Sequence, residues 1–171
     1  MECERIDHGL GRGRRILLPL VIDTYPVGFF DGATQNHWGG CGFHLRLNES
    51  HSYKGWMGVE GGTNNFSELV AAWLLLHWAW LLDVRELRIF GDSRVVIDWL
   101  DGRAAIHSIF LFHWCTKIKL LLDEFTTTHF NHIYRELNQV ADILSKKGLG
   151  GSTGLLFFKE WRVPNLIREE I

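Results

Sequence analysis

Four acidic residues are the part of this chain that could do chemistry, because of where they stand in the predicted secondary structure. Asp31 closes a short apolar, Phe-rich run, and Asp92 closes a second such run. Glu68 falls in the first turn of a predicted helix, as does Asp142 in a later one. Since the ends of neighbouring strands meet at the rim of a sheet, we expect the four carboxylates at one end of a central sheet.

Four clustered carboxylates would need a cation. Like charges raise one another's pKa values when they are close, and a hard divalent ion relieves the repulsion. Carboxylate oxygens suit Mg²⁺, with Mn²⁺ as a substitute, and two such ions about 4 Å apart can activate a water and stabilise a leaving oxygen in phosphodiester hydrolysis. Taken singly, each acid is better explained as a solvated cap or turn residue. The chemistry therefore depends on the elements that position them.

The order of those elements predicts an α/β fold. The expected strands span 27–31, 43–47, 52–59, 86–92 and 127–134, and the expected helices span 65–82, 93–100, 109–125 and 138–147. The first three strands read as an antiparallel meander. Asn65 and Glu68 resemble a capping box that opens the long helix, and this helix is expected to connect two parallel strands. Asn138 is expected to cap the last helix.

Composition places the chain among globular proteins. It has 171 residues, of which 46% are hydrophobic, which is enough for one domain with a buried core. We expect a flexible N-terminal arm over 1–24, a domain over 25–148, and a Gly-rich linker and C-terminal tail over 149–171. The formal net charge of -2 excludes a globally basic nucleic-acid-binding protein, so any such binding must use a local face.

Cysteine usage and hydropathy exclude further classes. Three scattered cysteines argue against a disulfide framework or a structural zinc site. The longest apolar run, 69–82, is shorter than the roughly 20 residues that cross a bilayer. The N-terminal residues lack a signal-peptide cleavage site. We therefore expect an intracellular protein, nuclear or cytoplasmic, that is not secreted.

The sequence around the four acids resembles the signature blocks of the type-1 ribonuclease H family, in the family's order. The blocks are Phe30-Asp-Gly-Ala33, Thr63-Asn-Asn-Phe-Ser-Glu-Leu69, Gly91-Asp-Ser93 and Asn138-Gln-Val-Ala-Asp142. The preceding Arg135-Glu-Leu-Asn138 is similar to the reverse-transcriptase-like branch found in plant genomes and retroelements. Over residues 26–148 the resemblance implies a ribonuclease H-like α/β fold, with a five-stranded mixed sheet flanked by helices.

The resemblance also implies an activity, the metal-dependent endonucleolytic hydrolysis of the RNA strand in RNA/DNA hybrids. Asp31 would bridge two Mg²⁺ ions, and Asp142 would complete the site of the ion that activates the water. Glu68 and Asp92 would hold the second ion at the leaving oxygen. His132, ten residues before Asp142, matches a mobile histidine that assists proton transfer or product release in the family. The alternative for His132 is an ordinary strand residue.

Five polar residues are candidate nucleic-acid contacts. Asn36, Asn64 and Asn65 match family positions in the minor groove of the hybrid, where ribose 2′-hydroxyls distinguish RNA from DNA. Ser93 and Asn138 belong to the signature blocks. Asn64 and Asn65 are also explained as capping residues. The segment 101–108 is short and nearly uncharged where some family members carry a basic protrusion, so hybrid affinity is expected to be weak or to depend on a tethered partner.

Two other interpretations stay open. One is a catalytically weak or inactive, domesticated binding module that keeps the fold, which the pI of about 6.5 supports. The other is a C-terminal ribonuclease H fragment of a retroelement polyprotein, linked covalently or non-covalently to a reverse transcriptase. In the main interpretation the partner is an RNA/DNA hybrid, no membrane is involved, and the protein is a monomer.

Overall fold

A seven-stranded mixed sheet forms the centre of the protein. The computed structural model describes residues 5–6, 16–17, 20–163 and 165–170. Its strands are β1 (Arg5–Ile6), β2 (Ile16–Leu17), β3 (Val27–Gln35), β4 (Trp38–Arg46), β5 (His51–Glu60), β6 (Glu86–Gly91), β7 (Thr127–His132), β8 (Phe157–Arg162) and β9 (Asn165–Glu170). Its helices are α1 (Asn64–Leu81), α2 (Arg94–Leu100), α3 (Ile109–Leu122) and α4 (Gln139–Leu149).

The pairing of the strands confirms the predicted topology. The main sheet has the order β7-β6-β3-β4-β5-β8-β9. β3, β4 and β5 form the antiparallel meander, and β6 lies parallel to β3 after the crossover through α1. β7 continues the parallel half beside β6. Because β3 is central and parallel to β6, the acid-bearing parts of the two strands lie next to each other.

The predicted count of five strands is wrong, because two more strands extend the sheet. β8 pairs antiparallel with β5, and β9 pairs with β8. Phe158 on β8 is 8% exposed, and its ring lies 4.6 Å from that of Trp78 on α1, centroid to centroid. The segment predicted as linker and tail therefore supplies apolar side chains to the core. The free energy gained by burying such side chains exceeds the entropic cost of ordering the nearby glycines.

Helices cover both faces of the sheet. α1 is apolar on most sides and lies between the sheet and α3, with buried residues that include Leu69, Leu75 and Leu76. α4 packs on the opposite face, where Ala141 joins Phe29 and Phe90 in a second, smaller cluster. The first cluster is the main core, and the second cluster fastens α4 to the sheet.

The predicted N-terminal arm falls mainly on residues 1–4, 7–15 and 18–19, which lie outside the described residues. Its described parts form an antiparallel ribbon of β1 and β2. Leu20 and Ile22 pack against the cluster around Phe29. Among the described residues, every helix is too short or too polar to cross a bilayer.

Candidate active site

Asp31 lies in the middle of β3, not at its end. Gly32 was expected to break the strand, but β3 continues to Gln35. A Cβ on Gly32 would lie 2.3 Å from the main-chain nitrogen of Glu68, so the glycine allows the first turns of α1 to touch the strand. This contact is what places Glu68 beside Asp31.

The cap of α1 differs from the predicted capping box. Thr63 is the N-cap residue, and its hydroxyl accepts a hydrogen bond from the main-chain N–H of Phe66 (3.3 Å). The Glu68 side chain is therefore not used at the helix terminus. It is 6% exposed, and its Oε2 has no hydrogen-bond partner among the described residues. A buried carboxylate oxygen in that state needs a ligand or a proton.

Three of the four predicted acids converge. One carboxylate oxygen from each of Asp31, Glu68 and Asp92 lies within 4.8 Å of the others. Asp92 follows β6, whose Gly91 is paired with Phe30 on the neighbouring strand. An all-oxygen donor set of this kind suits a hard divalent cation such as Mg²⁺ or Mn²⁺. The residues present therefore fit a metal ion.

Asp142 lies beside this group on α4 and is held by cations. Lys146, one turn further along the helix, donates to its Oδ2 (2.9 Å), and Arg135 lies 3.5 Å from its Oδ1. Its carboxylate is within hydrogen-bonding reach of Asp31. Ser145 bridges the same two residues, because its hydroxyl lies 2.8 Å from the carbonyl oxygen of Asp142 and 3.4 Å from Oδ2 of Asp31.

The four acids open into one cavity of about 940 Å³. Its wall carries polar side chains from β3, from the start of α1 and from α4. They include Thr34, Gln35, Asn64, Asn65, Ser93, Arg135 and Lys146. The cavity is open to solvent and lined mainly by polar groups, so it suits a large, polar ligand better than an apolar one, and an anionic ligand only when cations neutralise the four carboxylates.

Burial sets the acid–base properties of the cluster. Desolvation raises the pKa of Asp31 to about 7, and the charges of Asp92 and Asp142 add to this effect. Desolvation, followed by the neighbouring Asp31, raises the pKa of Glu68 well above its usual value, and desolvation also raises that of Asp92. For Asp142, burial is the largest single effect and acts in the same direction, but the hydrogen bonds with Lys146 and Asp31 and the charges of Lys146 and Arg135 together outweigh it and leave the pKa below its usual value.

These shifts predict that the metal-free protein is destabilised by ionisation of Asp31. Its folded pKa of about 7 lies above the unfolded value of 3.8, so the folded state binds more protons between these limits. The contribution to stability is therefore present below pH 4 and is lost as pH rises toward 7. In chelator, we expect Asp31→Asn to gain about 2 kcal/mol over wild type between pH 5 and pH 7, measured by urea unfolding.

The comparison with wild type at each pH removes contributions that both proteins share, such as that of His44, whose pKa burial lowers to about 3. When Mg²⁺ or Mn²⁺ replaces the chelator, the difference in stability between the two proteins at pH 7 should become smaller, because a bound cation stabilises the ionised wild-type cluster. A difference between the two proteins that does not change with pH would contradict the assignment of a raised pKa to Asp31.

The predicted nucleic-acid contacts fall in three places. Asn64, Asn65 and Ser93 line the cavity of the acids. Asn36 is exposed in the tight turn between β3 and β4, at a positive φ of 51°. Asn138 is the N-cap residue of α4, as predicted, but it is 1% exposed and does not line this cavity: its side-chain amide donates to the carbonyl of Phe30 (3.0 Å), and its Oδ1 makes no capping hydrogen bond with the described residues.

His132 ends β7 on the far side of Asp92. Its Nε2–H donates to the main-chain carbonyl of Asp92 (3.1 Å), and its Nδ1 accepts from the Arg94 guanidinium (3.2 Å). Burial, followed by the charge of Arg94, lowers the pKa of His132. The ring is thus held neutral and lines a separate pocket.

Arg135, Ser145 and Lys146 were not predicted as members of the acid site. Lys146 had a signal in the sequence, because a lysine four residues after an acid on a helix can pair with it. Arg135 had none, since it lies on a separate turn before α4. Ser145 depends on the packing of α4 over β4, which the sequence does not reveal.

Comparisons with known proteins agree with this geometry. Residues 29–148 match the family model described as reverse transcriptase-like. The chain is 34% identical over 117 residues to the uncharacterized protein YpeP of Bacillus subtilis (strain 168). That alignment covers 64% of this chain and 46% of YpeP, so the chain matches less than half of its relative's length.

Solved structures share the fold. RNase H1 from the halophilic archaeon Halobacterium salinarum NRC-1 superimposes with a TM-score of 0.69 at 24% identity, over 72% of this chain and 96% of that one. LC11-RNase H1, isolated from compost and solved in complex with an RNA/DNA hybrid, gives 0.68 at 20% identity, over 73% and 96%. The chain thus has a ribonuclease H-like fold and, by the match over residues 29–148, belongs to the reverse-transcriptase-like family.

Proposed function

We propose that this protein is a metal-dependent endonuclease that hydrolyses the RNA strand of RNA/DNA hybrids. The observation that carries the proposal is the convergence of Asp31, Glu68 and Asp92 within 4.8 Å, with a buried Glu68 oxygen that has no hydrogen-bond partner in the described part of the chain. Such a group is unstable as three bare carboxylates and is stabilised by divalent cations. The family and the fold support the same chemistry.

The four acids would hold two Mg²⁺ ions, for which Mn²⁺ is a substitute. Asp31 would be shared by the two ions, Asp142 would complete one site, and Glu68 with Asp92 would complete the other. When bound, such ions lower the pKa of a coordinated water and stabilise the charge on a leaving oxygen. The raised pKa values of Asp31, Glu68 and Asp92 are what metal binding would have to overcome, so affinity should increase with pH.

The remaining residues of the site orient these ligands. Lys146 and Arg135 keep Asp142 ionised and fix the direction of its carboxylate. The hydrogen bond from the Asn138 side chain to the carbonyl of Phe30 joins β3 to the start of α4 and so sets the distance between β3 and Asp142. These are positioning residues, because they act on the acids and not on the substrate.

Substrate selection would come from the amides on the cavity wall. The Thr34 hydroxyl donates to Oδ1 of Asn64 (2.5 Å), which leaves the Asn64 amide N–H groups as donors. Together with Asn65 and Ser93, these donors and hydroxyls match the acceptors of a minor groove and its ribose 2′-hydroxyls. Asn36, exposed at the neighbouring turn, would extend this contact along the duplex.

The role of His132 in proton transfer or product release stays a proposal. In its present position the ring donates to the Asp92 carbonyl and lies outside the acid cavity. The role requires the ring to break this hydrogen bond and the one from Arg94. His132→Ala should then slow cleavage and change its pH profile, whereas loss of a merely structural residue would lower stability alone.

Cleavage of a labelled RNA/DNA hybrid by the purified protein tests the function. We expect cutting of the RNA strand with Mg²⁺ or Mn²⁺, none in chelator, and none of duplex DNA or duplex RNA. If circular dichroism shows that the protein is folded and it cuts no hybrid at any metal concentration, the proposal is overturned.

One observation favours a second candidate, a binding module without turnover. Asp142 is occupied by Lys146 and Arg135 and lies outside the 4.8 Å group of acids. If these cations keep it from a metal ion, the protein would bind the hybrid without cutting it. Hybrid binding that persists in chelator, with no cleavage in metal, would support this candidate. In that case Lys146→Met should increase metal affinity.

A further inference from the structure

A polar pocket of about 270 Å³ adjoins the acid cluster on the other side of Asp92. Its polar lining comes from the start of α2, the loop after α2 and the end of β7: Arg94, Arg103, Asn131, His132 and Tyr134. Ile97 and Phe130 supply its apolar part. Two guanidinium groups in one concave site are a recognised means of binding phosphate.

Arg94 is the residue that makes this pocket a candidate anion site. Within the described part of the chain its guanidinium forms no ion pair, and its hydrogen bond goes to the uncharged Nδ1 of His132 (3.2 Å). A guanidinium carries five N–H donors, so one such bond leaves most of its capacity unused. The same bond directs the Arg94 side chain toward β7, where the pocket opens.

The other polar groups complete a donor-rich wall. Arg103 is oriented by Asp101, whose carboxylate lies 2.8 Å from its Nε. This contact uses the inner N–H of the guanidinium and leaves its terminal amino groups for a ligand. Asn131 and Tyr134 contribute a side-chain amide and a phenol from the end of β7 and the segment after it. These groups bind phosphate oxygens better than they bind a cation.

The location of the pocket relates it to the acids. Arg94 is two residues from Asp92, and His132 donates to the Asp92 main-chain carbonyl (3.1 Å). Asp92 therefore separates the acid cavity from this pocket. A nucleic-acid backbone that presents one phosphate to the acids carries further phosphates on either side, so a pocket joined to the acids through Asp92 is a candidate for binding one of them.

We propose that Arg94 and Arg103 form a phosphate subsite that binds a backbone phosphate of the hybrid next to the one at the acids. The identity of the ligand rests on the proposed function, whereas the pocket and its charges are independent of that function. A subsite of this kind would anchor the backbone close to the acids, although the segment 101–108 has only Asp101 and Arg103 as charged residues. It would position the strand without reading its sequence.

The test compares hybrid binding by wild type, Arg94→Ala, Arg103→Ala and the control Arg162→Ala, in chelator, by fluorescence anisotropy from 50 to 200 mM salt. Arg162 is exposed at the far end of β8, away from the acids. We expect Arg94→Ala to weaken binding about tenfold at low salt and to reduce the slope of log K against log salt by about 1. Arg162→Ala should change neither quantity, and Arg94→Lys should restore part of the slope.

A second arm uses inorganic phosphate alone, followed by the amide NMR shifts of Arg94, His132 and Tyr134 in the full chain. Shifts that saturate in wild type and vanish in Arg94→Ala support the subsite. If wild type neither binds nor cuts the hybrid, the proposed function fails, and the titration with inorganic phosphate alone tests whether the pocket binds phosphate. If wild type binds the hybrid and Arg94→Ala is identical in affinity and slope, the subsite is overturned.

Phosphate shifts without any effect of Arg94→Ala on the hybrid would mean a site for free phosphate and would overturn the backbone assignment. Urea unfolding of each variant shows that it is folded in the binding assay.

Discussion

Asp31→Asn should abolish hybrid cleavage while leaving the metal-free protein at least as stable as wild type. Asp31 is the acid in contact with both Glu68 and Asp142, so its loss disrupts the proposed sites of both metal ions. If metal ions stabilise the transition state by about 4 kcal/mol through this ligand, the rate should fall on the order of 10³-fold. The measurement is single-turnover cleavage of a labelled hybrid in Mg²⁺ at pH 8.

The stability measurement shows whether a loss of cleavage is caused by the loss of a metal ligand or by unfolding. Burial raises the pKa of Asp31 to about 7, so at pH 8 the wild-type protein contains a buried, ionised carboxylate that the amide removes. Asp123→Asn is the matched control, since Asp123 is exposed at the end of α3 and should keep full activity. Cleavage by Asp31→Asn within tenfold of wild type would refute the proposed mechanism.

Gly42→Ala should strongly destabilise the packing of α4 on the sheet. An added Cβ would lie 2.4 Å from the main-chain nitrogen of Ser145 and 2.7 Å from the carbonyl oxygen of Ala141. Both are backbone atoms of α4, so the clash cannot be relieved by a side-chain rotation. The helix must move away from the strand. We expect a loss of about 3 kcal/mol in the free energy of unfolding, measured in urea, the upper end for an overpacked core.

The same substitution should also lower cleavage, because α4 carries Asp142 and Gly42 is paired with Asp31 across β3 and β4. Gly150→Ala is the control. Gly150 has a φ of -90°, and among the described residues the nearest atom to its added Cβ is a carbonyl oxygen at 3.9 Å. It should be neutral or stabilise by about 0.5 kcal/mol. Equal stabilities of the two variants would show that α4 does not pack on β4 as described.

Much of the fold was predictable because local signals agreed with one another. Alternating apolar residues around the turns marked the antiparallel meander, and the change to helical spacing after Gly62 marked the crossover. The boundaries were less accurate at glycines. Gly32 was expected to end a strand, whereas it serves a close approach by α1 that depends on residues far away in the sequence. The extension by β8 depends in the same way on its packing against Trp78.

The acid site, like the fold, was predictable where it depends on local sequence signals and unpredictable where it depends on contacts between distant segments. Local patterns and short motifs were enough to predict the four acids as a group, their order and the type of element that carries each of them. Tertiary structure alone decided that three acids converge while Asp142 is held by Lys146 and Arg135. It also turned Asn138 inward and His132 toward Arg94. Side-chain directions and burial depend on contacts between distant segments, and local sequence patterns do not contain that information.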